Sequence, residues 1–209
     1  MYIPHNFQNN NLDEVRDFIR KNSFGIMVNQ TDKKLRATHI PLELETNIDG
    51  NEVLFGHISI ANPQWKNFTH DADVLCIFSG ANSYISSSWY DHENVPTWNY
   101  LAVHVYGTVK IIEGNALLYS LKKLVDKYEV NSKNPVKVEN MSEPFLSAHI
   151  KGIVGFEISI NEIHSAAKLS QNRDDVNHEN ITKELNLRND PGSTAIASAM
   201  IEERKKNNK

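Results

Sequence analysis

The sequence predicts a mainly β fold, in which antiparallel strands form a closed or nearly closed barrel with helices around it. The connections between the first three predicted strands are short, and Asp49-Gly50 is typical of a two-residue hairpin turn. From Tyr100 to Ile111, apolar residues occupy nearly every odd position, which is the two-residue repeat of a strand. A doubly wound parallel sheet is disfavoured, because each of its crossovers would need about a dozen residues.

The first half of the chain predicts an N-terminal helix, three strands and a short helix. Asn11 and Glu14 form a capping pair ahead of apolar residues at helical spacing. Asn62-Pro63 is typical of a helix start, because Asn caps free N–H groups and Pro lacks one. The helix is expected over residues 11–22, the strands over 24–29, 35–44 and 52–60, and the short helix over 63–68.

The second half predicts four more strands and four helices. The strands are expected over residues 73–79, 82–89, 100–111 and 153–160. The helices are expected over residues 117–128, 142–150 and 175–187, with a last helix capped by Ser193 and a frayed tail from Glu202. We expect a barrel domain with its N-terminal helix over residues 1–165. A C-terminal helical segment, residues 166–209, is expected to pack on the barrel or on a dimer partner.

Composition indicates a soluble cytoplasmic protein without a broad attraction to nucleic acid. The chain has 22 Lys and Arg against 26 Asp and Glu, a net charge of −4. Its single cysteine, Cys76, lies in an apolar run and is expected to be a buried thiol. The N-terminus lacks the features of a signal peptide, and no run approaches the roughly 18 apolar residues of a membrane span.

One aromatic segment has the composition of a binding site. Residues 82–107 hold two of the three Trp, four of the seven Tyr and two of the nine His, and residues 67–109 contain no Lys or Arg. Such a surface suits a flat, uncharged aromatic ligand better than a phosphate backbone. The alternative is an aromatic core or a subunit interface, which composition alone favours.

A second segment combines cations with short polar side chains at a predicted strand-to-helix junction. Lys168 to Arg173 reads KLSQNR, and helix N-terminal amides with Lys or Arg can hold a phosphate. An ordinary helix cap with a solvated Arg is the alternative.

Two catalytic arrangements receive less support. His39, His57 and His104 all fall in predicted strands, but no acidic residue stands beside them at ligand spacing, so we expect no metal site. Ser86 to Ser88 lie near Asp91 and His92, yet serines in such segments usually cap turns. The standard nucleotide-binding, hydrolase and zinc motifs are absent from the sequence.

Several short sequence motifs, in this order along the chain, resemble those of the PaiB family of FMN-binding negative transcriptional regulators. They are the MYIP start, GHISIANPQW (residues 56–65), YISSSWY (84–90), VPTWNYLAVHVYG (95–107), KGIVGFEI (151–158) and KLSQNR (168–173). The resemblance implies an antiparallel split β-barrel of the FMN-binding type and a homodimer with cofactor sites at its interface. It also implies repression of degradative-enzyme and sporulation genes in bacteria. Ala81, Asn82 and Ser87 depart from the family pattern, which loosens a turn and alters the expected flavin affinity.

The resemblance implies FMN as the cofactor and suggests which residues hold it. Lys168 and Arg173 are the candidates for the phosphate. The candidates for the ring and ribityl chain are His57, Asn62, Trp65, Tyr84, Ser86, Trp98, Asn99, His104, Gln171 and Asn172. We expect a regulator rather than an enzyme, although no DNA-reading motif is present and the basic cluster is confined to residues 204–209.

Two alternative functions stay open. One is a flavin-dependent oxidoreductase of the flavin reductase or pyridoxamine-phosphate-oxidase-like class. The other is a cofactor-free or haem-binding dimeric interaction module.

Overall fold

The computed structural model describes residues 1–68 and 72–207. In that part of the chain the strands are β1 (Phe24–Thr31), β2 (Lys34–Pro41), β3 (Glu43–Thr46), β4 (Glu52–Ser59), β5 (Ala72–Ile85), β6 (Thr97–Ile112) and β7 (Ile153–Lys168). The α-helices are α1 (Leu12–Lys21), α2 (Gly114–Glu129), α3 (Glu143–Ile150), α4 (Asp175–Leu187) and α5 (Pro191–Asn207). Short 3-10 helices cover His5–Phe7, Pro63–Asn67, Ser87–Trp89 and Val138–Asn140.

The strands form one antiparallel sheet in the order β2-β1-β5-β6-β7-β4-β3. Ile26 of β1 pairs with Ile77 of β5, and Phe55 of β4 pairs with Glu157 of β7. Both pairings are antiparallel, which confirms the predicted fold class and is incompatible with a doubly wound parallel sheet.

The chain divides into two compact units. The first unit contains residues 1–18, 79–104 and 164–209, and the second contains residues 19–78 and 105–163. The long strands β5, β6 and β7 each contribute residues to both units. The predicted division at residue 165 stays a prediction.

The second unit is built on close backbone approach and aromatic packing. A Cβ on Gly107 would lie 2.2 Å from the Ser159 carbonyl oxygen, so only glycine lets β6 approach β7 there. Phe68 and Phe156 pack edge to face with their ring centroids 5.2 Å apart, and both are almost fully buried. Cys76 is fully buried as predicted, and burial raises the pKa of its thiol.

The first unit has a core of its own, made by the C-terminal helices and the strand segments of that unit. Ile181 and Leu185 of α4 and Ile196 of α5 are fully buried. They belong to one apolar cluster with Ile85 of β5 and Leu169, which follows β7. Burial of an aliphatic side chain contributes about 1.5–3 kcal/mol, so this cluster stabilises the unit.

Two strand predictions need correction. The strand predicted over residues 35–44 is two strands: β2 ends at Pro41, and β3 pairs with β4 instead. Leu42 between them is fully buried, and its N–H donates to the Ser23 carbonyl 2.8 Å away. The strands predicted over residues 73–79 and 82–89 merge into one strand, β5, since the backbone stays extended through Gly80. This strand ends at Ile85, and Ser87–Trp89, predicted as strand, form a 3-10 helix.

The C-terminal helix also differs from the prediction. It begins at Pro191, because the Asp190 carboxylate accepts the Ser193 N–H at 2.9 Å and acts as the cap. The Ser193 hydroxyl instead bonds the Ser83 hydroxyl at 2.9 Å. The tail predicted to fray is helical through Asn207 and is held by ion pairs of Arg204 with Asp175 and of Lys206 with Glu14.

Replacing Gly107 by Ala should lower the free energy of unfolding by at least about 2 kcal/mol, since the added methyl meets backbone that cannot rotate away. Urea denaturation followed by circular dichroism measures this change. Gly152→Ala is the matched control, because its Cβ would lie 3.3 Å from its nearest neighbour, the His149 carbonyl oxygen. Equal midpoints for the two variants would contradict the close approach of β6 and β7.

Candidate functional site

Aromatic rings of the first unit are contacted by a cation from the C-terminal segment. The Arg188 guanidinium lies 4.5 Å from the Trp89 ring centroid and 6.0 Å from that of Tyr84. It donates to the Tyr84 carbonyl at 2.8 Å and to the Ser83 hydroxyl at 3.1 Å. Tyr84 and Trp98 meet edge to face at 5.9 Å, and 38% and 54% of these side chains are exposed. The exposed rings leave apolar surface available to a planar ligand.

Lys168 and Arg173 form a half-buried cationic pair in the same unit. The Lys168 ammonium donates to the Thr97 hydroxyl and lies 5.9 Å from the Phe7 ring centroid. The Arg173 guanidinium lies 5.0 Å from the Tyr90 ring centroid. Burial, and then the charge of Arg173, lower the pKa of Lys168. Within residues 1–68 and 72–207, no carboxylate forms an ion pair with either cation, so an anion here would meet two uncompensated charges.

The loop that carries these cations is fixed by its own polar groups. Ser170 has a left-handed backbone (φ 57°), is 4% exposed, and donates its hydroxyl to Asn99 Oδ1 at 3.1 Å. The Gln171 side chain accepts the Leu169 N–H at 2.9 Å and donates to the Ala167 carbonyl at 2.5 Å. Asn99 is fully buried, whereas Asn172 is exposed. Asn99 and Gln171 therefore position the loop, and Asn172 is the amide left facing solvent.

The pleat of β6 separates the predicted site residues of this strand. Asn99 and Val103 point to the buried face, while Trp98 and His104 point to the half-exposed face. Thr97, the partner of Lys168, lies on the face opposite to Trp98. The structure thus brings Lys168, Ser170 and Asn99 together on one face and Tyr84 and Trp98 on the other.

The predicted site residues of the second unit stabilise a turn or line a small recess. Asn62 caps the short helix by accepting the Gln64 N–H at 3.0 Å, and its amide donates to the Thr38 hydroxyl at 3.0 Å. The Trp65 indole donates to the Ile60 carbonyl at 2.8 Å. His57 is half-buried beside Glu43, Ser120 and Leu124, and burial lowers its pKa.

The possible catalytic arrangement of Ser86 to Ser88 with Asp91 and His92 is not connected by a continuous chain of hydrogen bonds. His92 Nδ1 lies 2.7 Å from Asp91 Oδ1, but the Ser86 hydroxyl bonds the Ser88 hydroxyl at 2.8 Å and caps the helix after it. Among the residues that the structure describes, no hydrogen bond joins a serine to His92. The same residues contain no group of three or more His, Cys, Asp or Glu side chains suited to hold a metal ion.

Arg188, Thr97 and Ser170 complete this region and were not predicted from the sequence. Arg188 follows α4 and has no sequence neighbour in the aromatic segment, so only its packing on Trp89 reveals it. Ser170 shows its role through a left-handed backbone, which no residue pattern signals.

The comparisons with known proteins establish the family. The model of the family described as "Putative FMN-binding domain" matches residues 1–162. The chain belongs to this family. It is also 41% identical to "Protease synthase and sporulation protein PAI 2" of Bacillus subtilis over 206 residues, which cover 99% of both chains. These matches confirm the predicted membership of the PaiB family.

Solved structures agree with this assignment at the level of fold. The FAD and heme binding protein from Mycobacterium smegmatis superposes with a TM-score of 0.60 and 13% identity, over 77% of this chain and 73% of that one. The flavocytochrome Anf3 from Azotobacter vinelandii gives a TM-score of 0.58 and 17% identity, over 78% and 70%. The chain therefore has the antiparallel split β-barrel fold of flavin-binding proteins. In its described residues no helix is long and apolar enough to cross a membrane.

The stability of the protein should fall when the pH is lowered below about 6.5, the ordinary pKa of histidine. Burial lowers the pKa of His57, His104 and His178 in the folded chain, and for His104 the positive N-terminus and His164 lower it further. The unfolded chain therefore takes up protons first, and stability present above that pH is lost as the pH falls towards the folded-state pKa values.

Urea midpoints measured at several pH values between about 7.5 and 5.5, on either side of the ordinary histidine pKa, check this expectation. His178→Asn removes one of the three groups and should flatten part of the pH dependence. A midpoint that is constant or rises on acidification would contradict the assignment.

Proposed function

We propose that this protein binds FMN and acts as a negative regulator of the transcription of degradative-enzyme and sporulation genes. The family and the name of the Bacillus subtilis relative support this proposal. The proposal of FMN binding rests on Lys168 and Arg173. They are two half-buried cations, and among the described residues no carboxylate compensates their charge. Expected partners are a second copy of the chain and an operator, and the expected location is the cytoplasm.

The residues fit the chemistry of FMN in two respects. A phosphate carries about two negative charges and accepts several hydrogen bonds, which suits the Lys168 ammonium and the Arg173 guanidinium. Arg173 Nε is buried and has no hydrogen-bond partner among the described residues, so a donor is left for a ligand. Tyr84 and Trp98 offer exposed ring faces, but they lie on the opposite face of β6 from Lys168. We therefore propose that the planar part of the cofactor meets these rings on a second copy of the chain. A bound flavin would supply one- or two-electron redox chemistry.

The proposed phosphate donors lie beyond the matched family domain. The family model ends at residue 162, whereas Lys168 and Arg173 follow in the next segment. The Bacillus subtilis relative aligns over 99% of both chains, so it has a counterpart of this segment. We infer that in this chain the cofactor phosphate is held by a segment outside the matched family domain.

The regulatory half of the proposal does not depend on a basic tail. Arg204 pairs with Asp175, and Lys206 pairs with Glu14 at 2.7 Å, so both cations are compensated within the first unit. With a net charge of −4, the chain has little general attraction for DNA. We therefore propose repression through a local contact or through a protein partner rather than through broad phosphate binding.

Replacing Arg173 by Gln should weaken FMN binding by about 10- to 100-fold, the cost of losing a charge-assisted hydrogen bond. Lys168→Gln should have an effect of similar size. Titration of the purified apoprotein with FMN, followed by quenching of flavin fluorescence, measures both. Arg16→Gln and Lys183→Gln are the controls, since Arg16 forms an exposed ion pair with Asp13 and Lys183 is exposed. Equal FMN affinity in the variants and controls would refute the placement of the phosphate.

The absorption spectrum of the purified protein separates the proposed cofactor from the alternatives. Flavin bands together with inertness toward a nicotinamide cofactor support a regulator, whereas rapid oxidation of that cofactor would favour an oxidoreductase. A Soret band would favour a haem-binding module.

A gel-shift titration on promoter DNA tests the regulatory half. We expect binding, where it occurs, to depend only weakly on salt, because the net charge of −4 opposes broad contact with phosphates. A steep decrease in affinity between about 50 and 200 mM salt would show many phosphate contacts and contradict this expectation. If the DNA band does not shift even at low salt, repression acts through a protein partner.

A further inference from the structure

The first unit contains a second cavity that none of the predicted site residues lines. It has a volume of about 160 Å³ and lies between α1, the segments of β6 and β7 in this unit, and α5. Its walls combine apolar side chains with polar and charged ones. They include Val15 and Phe18 of α1, Leu101 of β6, Ala166 of β7 and Ala199 of α5.

The size and the walls suit one compact apolar group. An apolar cavity of about 150 Å³ is known to stay dry and to accept benzene, so a single six-membered ring fills a space of this size. The Phe18 ring lies directly against Gly80, where an added Cβ would be 2.7 Å from it. A polar ligand without an apolar body would leave these walls unsolvated.

Ionisable groups at the same cavity favour a positive charge. Glu14, Glu202, Glu203 and Lys206 line it, three carboxylates against one ammonium. Lys206 lies 2.7 Å from Glu14 and 3.6 Å from Glu203, and the Asn9 amide donates to Glu14 at 3.1 Å. In the part of the chain that the structure describes, no cation pairs with Glu202. The four charges sum to minus two: Lys206 is shared by Glu14 and Glu203, and Glu202 has no paired cation among the described residues.

We propose that this cavity binds a small primary amine whose apolar body is about the size of one ring. The ring lies among Val15, Phe18, Leu101 and Ala199, and the ammonium group pairs with Glu202. None of the residues proposed to hold FMN lines this cavity. An amine would therefore bind the flavin-free protein as well.

Benzylamine, benzyl alcohol and benzoate are suitable probes, because they share a ring and differ in charge. Titration into ¹⁵N-labelled protein, followed by amide chemical shifts, should show benzylamine binding in the millimolar range with shifts on α1 and α5. Benzyl alcohol should bind about threefold to fivefold more weakly, the contribution of a solvent-exposed ion pair. Benzoate should bind most weakly of the three.

Two variants separate the roles of charge and shape. Glu202→Gln should reduce benzylamine binding to the level of benzyl alcohol and leave benzyl alcohol unchanged. Ala199→Leu should fill the cavity and abolish both, whereas Ala195→Leu, at an exposed position of the same helix, should abolish neither. Melting temperatures of the two Leu variants close to that of the parent protein would show that both remain folded.

Three results would overturn the proposal. They are equal affinity for benzylamine and benzoate, retention of binding by a folded Ala199→Leu variant, and no binding of any probe to the parent protein.

Discussion

The two-residue repeat of β6 is the constraint on which the candidate site depends. From Thr97 to Val109 the odd side chains are mostly buried and the even ones half-exposed or exposed, so each of these residues is committed to one face. Asn99 and Val103 are thereby fixed in the interior, while Trp98 and His104 must lie on the other face. A shift of register by one residue would exchange these sets, which would bury Trp98 and expose the amide of Asn99.

Burying two cations without a carboxylate would be costly unless other groups replaced their hydration. Here the compensation comes from neutral groups: the Thr97 hydroxyl for Lys168 and the ring face of Tyr90 for Arg173. A ring face or a hydroxyl stabilises a cation without neutralising it, so the positive field persists. This distinguishes the pair from Arg204 and Lys206, whose partners are the carboxylates of Asp175 and Glu14. Only the first arrangement leaves charge available to an anionic ligand.

The sequence predicts elements where one local signal decides the outcome. The ends of α4 and the long apolar repeat of β6 follow from capping and periodicity. Prediction from the sequence fails where tertiary contacts determine the structure. Residues 35–44 appear continuous, but the chain leaves β1 after Pro41 to pair with β4, and only the partner strand determines this. Ser193 is a good cap by type, yet Asp190 stands three residues earlier and accepts its N–H.

For the candidate site, residue types identified Lys168 and Arg173, whereas the role of Arg188 depends on packing across more than eighty residues of chain.

The loop from Lys168 to Arg173 explains why such a site would be selective for charge rather than for the edge of a heterocycle. Ser170 and Gln171 use their polar groups to hold the loop, through Asn99, Leu169 and Ala167. Amides committed to backbone partners cannot read a ligand without breaking those bonds, which costs about as much as a new bond would contribute. The donors that remain are the solvent-facing amide of Asn172 and the two cations, and the cations recognise an anion without regard to what it is attached to. Discrimination between FMN and another phosphorylated compound would therefore come from Asn172 or from groups outside this loop.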